Sequence, residues 1–187
     1  MVKFHIGSLE VSVTFGFLLV FSLLSLSGSH ALGFTAIASC VIHELGHCFA
    51  AVILNVKIKS LTLWAGGVQM EREGRIISLG TELAVLISGP LFNLISATFY
   101  SLNGINDAAM VNLSLAIFNL FPYSSLDGGC MIKAVLERKS LNLNIIQKVT
   151  AVLSGAVILT VLFLSGNHNI TAFVTVILLT ADEILSR

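Results

Sequence analysis

The chain has 187 residues, of which 56% are hydrophobic and 11% are charged, and its formal net charge is zero. With a mean hydropathy of +0.95, a soluble globular domain would expose more apolar surface than water tolerates, so that class is excluded. The zero net charge gives no indication of nucleic-acid binding. We therefore expect one integral membrane domain over residues 1–187.

Apolar runs divide the chain into predicted membrane spans. Each is read as a helix, and the first is preferred over a signal peptide because it is long, follows a single lysine and lacks a clean A-x-A cleavage site. The predicted fold class is an all-α membrane protein, a six-helix transmembrane bundle with a short hairpin-like segment after the second helix and interruptions in the third and fourth. The six runs are residues 11–26, 31–54, 79–102, 108–121, 145–164 and 170–185.

The positions of the basic residues predict the orientation. The ten lysines and arginines fall at the N-terminus, after the second span, between the fourth span and the first residues of the fifth, or at the C-terminus. In a six-span topology these segments share one side, and the positive-inside rule makes that side cytoplasmic. We expect both termini in the cytoplasm and any functional site of the chain nearer that side. The basic residues are Lys3, Lys57, Lys59, Arg72, Arg75, Lys133, Arg138, Lys139, Lys148 and Arg187.

The polar connection after the second span contains residues 61–71, which alternate around the Gly66-Gly67 pair. This pattern is typical of a β-hairpin. One interpretation is a strand edge that pairs with an extended substrate segment. The other is an ordinary surface hairpin that closes the cytoplasmic face.

The second span contains an H-E-x-x-H motif at His43, Glu44 and His47. Residues at i and i+4 of a helix lie on the same face, so the two imidazoles can bind one metal ion while the adjacent carboxylate activates water. Ionisable groups inside a membrane span generally mark a functional site. The alternative is a paired His-Glu cluster that only holds helices together. Neighbouring Cys48 is interpreted as packing rather than as a ligand.

Asp127 is the best candidate for a third ligand, which a catalytic zinc site requires. Pro122 interrupts the fourth span before it can cross, so the residues after it stay within the cytoplasmic third of the bilayer, the depth expected for His47. Irregular backbone at that depth is tolerated where it lines a cavity. A simple turn before Gly128 and Gly129 is the alternative.

Two asparagines are candidate substrate-binding residues. Asn93 follows Pro90 in the predicted interruption of the third span, and Asn119 precedes Pro122. Their amides could bind a substrate backbone or a developing oxyanion. For each, a purely structural interhelical hydrogen bond is the alternative. Asp182 and Glu183, at the end of the last span, are expected to be solvated.

Taken together, the H-E-x-x-H, S-G-P-L-F-N and N-L-F-P-Y-S-S-L-D-G-G motifs resemble those of the site-2 protease family of intramembrane zinc metalloproteases (peptidase family M50). The compact form is similar to the branch that contains the stage IV sporulation protease, which processes a pro-sigma factor. The resemblance implies one zinc ion bound by His43, His47 and Asp127, with Glu44 as the base and Asn93 in substrate positioning. It implies a membrane-tethered protein substrate and a membrane regulator. No PDZ or CBS domain is found in this sequence.

Two rival interpretations remain at this stage. One is a non-catalytic membrane protein that retains these residues, such as a metal transporter or a binding scaffold. The other is a different membrane metallohydrolase, such as a prenyl-protein protease, whose third ligand would be a distal glutamate.

Overall fold

The computed structural model describes residues 1–6, 9–16, 30–64, 67–72, 78–139, 143–164 and 170–185. The chain divides into two compact units, Met1–Ala116 and Ile117–Arg187. The strands are β1 (Val2–Ile6), β2 (Leu9–Val13), β3 (Ile58–Trp64) and β4 (Gly67–Arg72). The helices are α1 (His30–Ile53), α2 (Leu79–Leu102), α3 (Asn106–Asn119), α4 (Asp127–Arg138), α5 (Leu143–Leu164) and α6 (Ile170–Leu185).

The strands form one sheet in the order β1-β2-β3-β4. The outer pairs are antiparallel and the central pair, β2 and β3, is parallel. The predicted hairpin is confirmed, since β3 and β4 pair antiparallel with Trp64 opposite Gly67. At the free end of the sheet, the Lys3 ammonium donates to Glu10 Oε1 at 2.6 Å and holds the pKa of the Glu10 carboxyl below its ordinary value.

The pair β1 and β2 was not predicted. Residues 11–13 were assigned to the first membrane helix, and this was wrong: Val11 and Val13 pair with Leu61 and Leu63 of β3. The sequence of β2, Leu-Glu-Val-Ser-Val, alternates apolar and polar residues with the period of a strand. The rest of that predicted span lies largely outside the described residues.

Three helices among the described residues are long and apolar enough to cross a membrane, over Leu32–Ile53, Leu79–Leu102 and Ile145–Leu164. The boundaries agree with the predicted second, third and fifth spans to within two residues, and the chain is a multi-pass membrane protein. The shorter helices α3 and α6 contain 14 and 16 residues, close to the predicted fourth and sixth runs.

In the first unit, α1 packs against α2. The contact is close at Gly46, where an added Cβ would lie 2.6 Å from the Ser88 carbonyl oxygen and 3.0 Å from Phe92 Cβ. Small residues allow transmembrane helices to approach in this way. The predicted interruption of the third span was not found, because α2 runs without a break through Pro90. Polar side chains satisfy the backbone near this proline, because Ser88 Oγ and His47 Nδ1 both donate hydrogen bonds to the Val85 carbonyl.

In the second unit, the predicted break at Pro122 is confirmed. Helix α3 ends at Asn119, residues 120–126 form turns, and α4 begins at Asp127. Helices α5 and α6 are antiparallel neighbours, since Lys148 Nζ, near the start of α5, donates to the Ile184 carbonyl at 2.8 Å. Cys40, Cys48 and Cys130 are not joined in disulfides among the described residues.

Candidate metal centre

The two histidines of the motif are brought together on α1, as their spacing predicted. Each is only 5% exposed, and their rings meet edge to face with the centroids 4.8 Å apart. The two Nε2 atoms lie 3.2 Å from one another. What this short approach means depends on which nitrogen of each ring carries the proton.

The hydrogen bonds of the Nδ1 atoms assign the tautomers. His47 Nδ1 lies 2.7 Å from the Val85 carbonyl, which can only accept, so Nδ1 carries the proton. His43 Nδ1 lies 2.6 Å from Asn93 Oδ1. The Asn93 amide is oriented by Nδ2, which donates to the Ser39 carbonyl at 3.0 Å. Its oxygen therefore faces His43, and His43 Nδ1 is also the donor.

When both rings are neutral with the proton on Nδ1, each Nε2 presents a lone pair, and the two nitrogens lie 3.2 Å apart. Two lone pairs at this distance repel unless a cation lies between them. Two imidazole nitrogens bound to one zinc ion at tetrahedral angles are separated by about 3.3 Å. The pair His43 and His47 therefore fits one zinc ion in both protonation state and spacing.

Gly89 of α2 makes room for this pair. A Cβ added at Gly89 would lie 2.8 Å from His43 Nε2 and 2.5 Å from His47 Cε1. These are distances that real Cβ atoms do not show, so the absence of a side chain is required here for the rings to fit against α2. The sequence analysis singled out this segment for its proline, whereas the structure indicates that the adjacent glycine lies against the metal-binding atoms.

Glu44 follows His43 on α1 and is partly exposed. It is the second residue of the H-E-x-x-H motif, the position that in metalloproteases carries the general base. Cys48 is a half-buried free thiol on the same helix.

Asp127 is the first residue of α4 in the second unit. A carboxylate in the first turn of a helix is favoured by the helix dipole. Gly128 and Gly129 are required because a side chain at either position would collide with the backbone of the preceding loop, and neither adopts a positive φ. A Cβ at Gly128 would lie 2.6 Å from the Phe121 carbonyl oxygen, and one at Gly129 would lie 2.8 Å from the Ser124 nitrogen.

The loop before Asp127 is held by residues of α6 that the sequence analysis did not connect with it. Glu183 Oε2 accepts a hydrogen bond from the Ser124 backbone N–H at 2.7 Å. Tyr123 is 1% exposed, and its hydroxyl lies 3.0 Å from Thr180 Oγ1. The expectation that Glu183 is solvated was wrong, because only 4% of it is exposed. Asp182 is exposed, as expected.

The two predicted substrate-binding asparagines have different surroundings. Asn93 is fully buried, and its amide binds His43, Ser39 and Asn112. Asn119 is the last residue of α3 and is half-buried. The sequence analysis did not single out Asn112 or Ser39. The only available signal was a polar residue within an apolar run.

The fold is similar to that of a membrane-embedded site-2 protease. The whole chain matches the structure of the site-2 protease from Methanocaldococcus jannaschii with a TM-score of 0.67 and 22% identity, covering 100% of this chain and 96% of that one. This similarity defines the fold.

Sequence comparison gives a consistent result. The model of Peptidase family M50 matches residues 101–164. A zinc metalloprotease of Methanocaldococcus jannaschii is 38% identical over 115 residues, 54% of this chain and 33% of that protein. Stage IV sporulation protein FB of Bacillus subtilis is 31% identical over 110 residues, 53% of this chain and 38% of that protein. The chain thus spans about a third of the length of the curated relatives it matches. The predicted resemblance to the site-2 protease family is confirmed.

Proposed function

We propose that this protein is an intramembrane zinc endopeptidase that hydrolyses a peptide bond within or near a transmembrane segment of a membrane-tethered protein. The observation that carries the proposal is the pair of buried imidazoles on one apolar helix whose Nε2 atoms lie 3.2 Å apart, in a motif whose second residue is Glu44. A metal transporter would also bind zinc through imidazoles, so it is the carboxylate of the H-E-x-x-H motif that favours hydrolysis over transport.

We propose that Asp127 is the third ligand and that the two units act as one catalytic domain. The support is the chemistry of the donor set, two imidazoles and one carboxylate, which is a known catalytic zinc combination. A further support is the position of Asp127 in the segment that the M50 model matches. A bound zinc ion would act as a Lewis acid toward water and the substrate carbonyl.

In the proposed reaction, Glu44 accepts a proton from the attacking water and later delivers it to the leaving amine. Asn93 acts by orienting His43, because contact with a substrate would require its hydrogen bonds to be given up. Asn119 is the proposed substrate contact.

The scissile segment must be locally unwound, since helical carbonyls are already hydrogen-bonded. Regulated intramembrane proteolysis, with a membrane regulator and a water path from the cytoplasmic side, is the proposed context.

Replacing Glu44 by glutamine tests the reaction. We expect Glu44→Gln to lower the rate of cleavage by at least about 10²-fold, because the base is lost, while the zinc content stays at one ion per chain. The measurement is cleavage of a single-pass membrane substrate in liposomes, with metal analysis of the same sample. Glu82→Gln, in the first turn of α2, is the control and should cleave normally. Undiminished cleavage by Glu44→Gln would reject the protease mechanism.

Replacing Asp127 by asparagine tests the ligand set. We expect Asp127→Asn to weaken zinc binding by more than the 10- to 100-fold typical of an outer-shell partner, because a direct ligand loses its charge. The measurement is competition with a chelator. Asp107→Asn, in the first turn of α3, is the matched control. Unchanged affinity in Asp127→Asn would favour a metallohydrolase with a different third ligand.

A further inference from the structure

A line of buried amides leads away from the metal centre. Asn112 of α3 and Asn93 of α2 are both fully buried. Asn93 Nδ2 donates to Asn112 Oδ1 at 2.9 Å, and Asn112 Nδ2 donates to the Ala108 carbonyl at 2.9 Å. At the end of the line nearest the metal centre, Asn93 Oδ1 accepts a hydrogen bond from His43 Nδ1.

The direction of every hydrogen bond in this line is determined by backbone carbonyls. Ala108 O can only accept, so Asn112 must present its nitrogen to it and its oxygen to Asn93. Ser39 O can only accept, so Asn93 must present its nitrogen there, at 3.0 Å, and its oxygen to His43. Both amide orientations therefore agree with one tautomer of His43.

We propose that Asn112 is a positioning residue that, through Asn93, holds His43 in the tautomer with the proton on Nδ1, so that Nε2 can bind the metal. The proposal rests on the proposed zinc site. The tautomer of an imidazole is set by the hydrogen bond that its other nitrogen makes. Without the Asn112 oxygen, the orientation of the Asn93 amide is held by one hydrogen bond, to the Ser39 carbonyl, instead of two. The flipped orientation, with Nδ2 toward His43 and His43 protonated on Nε2, then becomes populated beside the native one.

This role differs from that of a simple interhelical contact, because a simple contact would stabilise α3 against α2 without affecting the histidine. The two roles are separated by a measurement on the imidazole itself. Nitrogen NMR of ¹⁵N-histidine-labelled protein reports which ring nitrogen carries the proton. The metal-free protein is used, so the readout does not depend on protease activity. The His43 signals are assigned by their loss in His43→Gln.

The test compares three variants. Asn112→Leu keeps the number and branching of the side-chain heavy atoms but cannot accept a hydrogen bond. Asn112→Asp keeps the acceptor, and in its protonated form it can also donate to Ala108 O, so it should rescue. Asn106→Leu, the same substitution at the exposed start of α3, is the control.

For Asn112→Leu we expect a mixture of His43 tautomers and a zinc affinity weaker by about 10-fold, the lower end of the range for outer-shell partners. Asn112→Asp and Asn106→Leu should keep the Nδ1–H tautomer and bind zinc within about 2-fold of the native chain. If Asn112→Leu does not fold, Asn112→Ser, which is too short to reach Asn93, is measured in its place.

A folded Asn112→Leu chain with His43 still protonated only on Nδ1 and with unchanged zinc affinity would overturn the proposal. This outcome is distinct from failure of the proposed function. If the native chain bound no zinc, the metal site would be rejected, whereas the tautomer measurement on metal-free protein would still decide the role of Asn112.

Discussion

The environment of individual residues explains why the histidine pair can form on a membrane helix. His43 and His47 are buried, so each Nδ1 proton needs an acceptor, and each has one, in Asn93 Oδ1 and the Val85 carbonyl. These contacts orient the two Nε2 atoms toward each other, and Gly89 leaves the space they require. The metal-binding geometry is therefore organised by residues of α2 as much as by the motif on α1.

Adding a single methyl group at Gly89 tests this arrangement. In Gly89→Ala the new Cβ would meet both imidazoles, at 2.8 Å from His43 Nε2 and closer to His47. Moving α2 away from them would break the hydrogen bonds that join the two helices, from His47 Nδ1 to the Val85 carbonyl and from His43 Nδ1 to Asn93 Oδ1. We expect zinc affinity to fall by at least about 10-fold and the protein to lose about 1–3 kcal/mol of stability from overpacking.

The measurements are zinc competition and thermal unfolding in detergent. Gly80→Ala is the matched control in the same helix, because its Cβ would have only Ser78 Oγ nearby, at 4.0 Å. Alanine there should be neutral or stabilising by up to about 1 kcal/mol. Native zinc affinity in Gly89→Ala would mean that the rings have space that the structure does not provide.

At the level of elements, α6 holds the loop that carries the proposed third ligand. Glu183 binds the Ser124 N–H, and Tyr123 reaches Thr180. Gly155 of α5 lies at the same contact, where a Cβ would be 3.0 Å from the Tyr123 hydroxyl. A buried carboxylate is costly unless it accepts hydrogen bonds, so the loop and α6 stabilise each other. The break at Pro122 therefore has a defined structure, with Asp127 placed at the start of α4.

Comparison of sequence and structure shows which information is local. The helix boundaries followed hydropathy, and the histidine pair followed from i, i+4 spacing. The strand pair β1 and β2 was missed because β2 is completed by β3, about 50 residues further along the chain. Asn112 was missed for a similar reason: its partner Asn93 lies 19 residues away in the chain, and no local pattern encodes a contact between two helices.

For the whole molecule, the sheet constrains how the chain crosses the membrane. Lipid-exposed sheet edges do not occur in the hydrocarbon region, so we expect β1 to β4 to lie together on one side of it. The parallel pair β2 and β3 thus places the N-terminal strands, with Lys3, on the same side as Lys57, which follows α1. The positive-inside rule predicts that this side is the cytoplasm.

Cysteine accessibility tests this orientation. In a background without the three native cysteines, we expect His5→Cys and Lys57→Cys to resist a membrane-impermeant maleimide in intact cells and to react after permeabilisation. Asn103→Cys, just after α2, should react in both cases, because a spanning helix of 24 residues is about 36 Å long and crosses the bilayer. His5 and Lys57 must behave alike if the sheet forms. Opposite labelling of these two positions would contradict the parallel pairing of β2 with β3, and external labelling of both would reverse the predicted orientation while leaving the sheet intact.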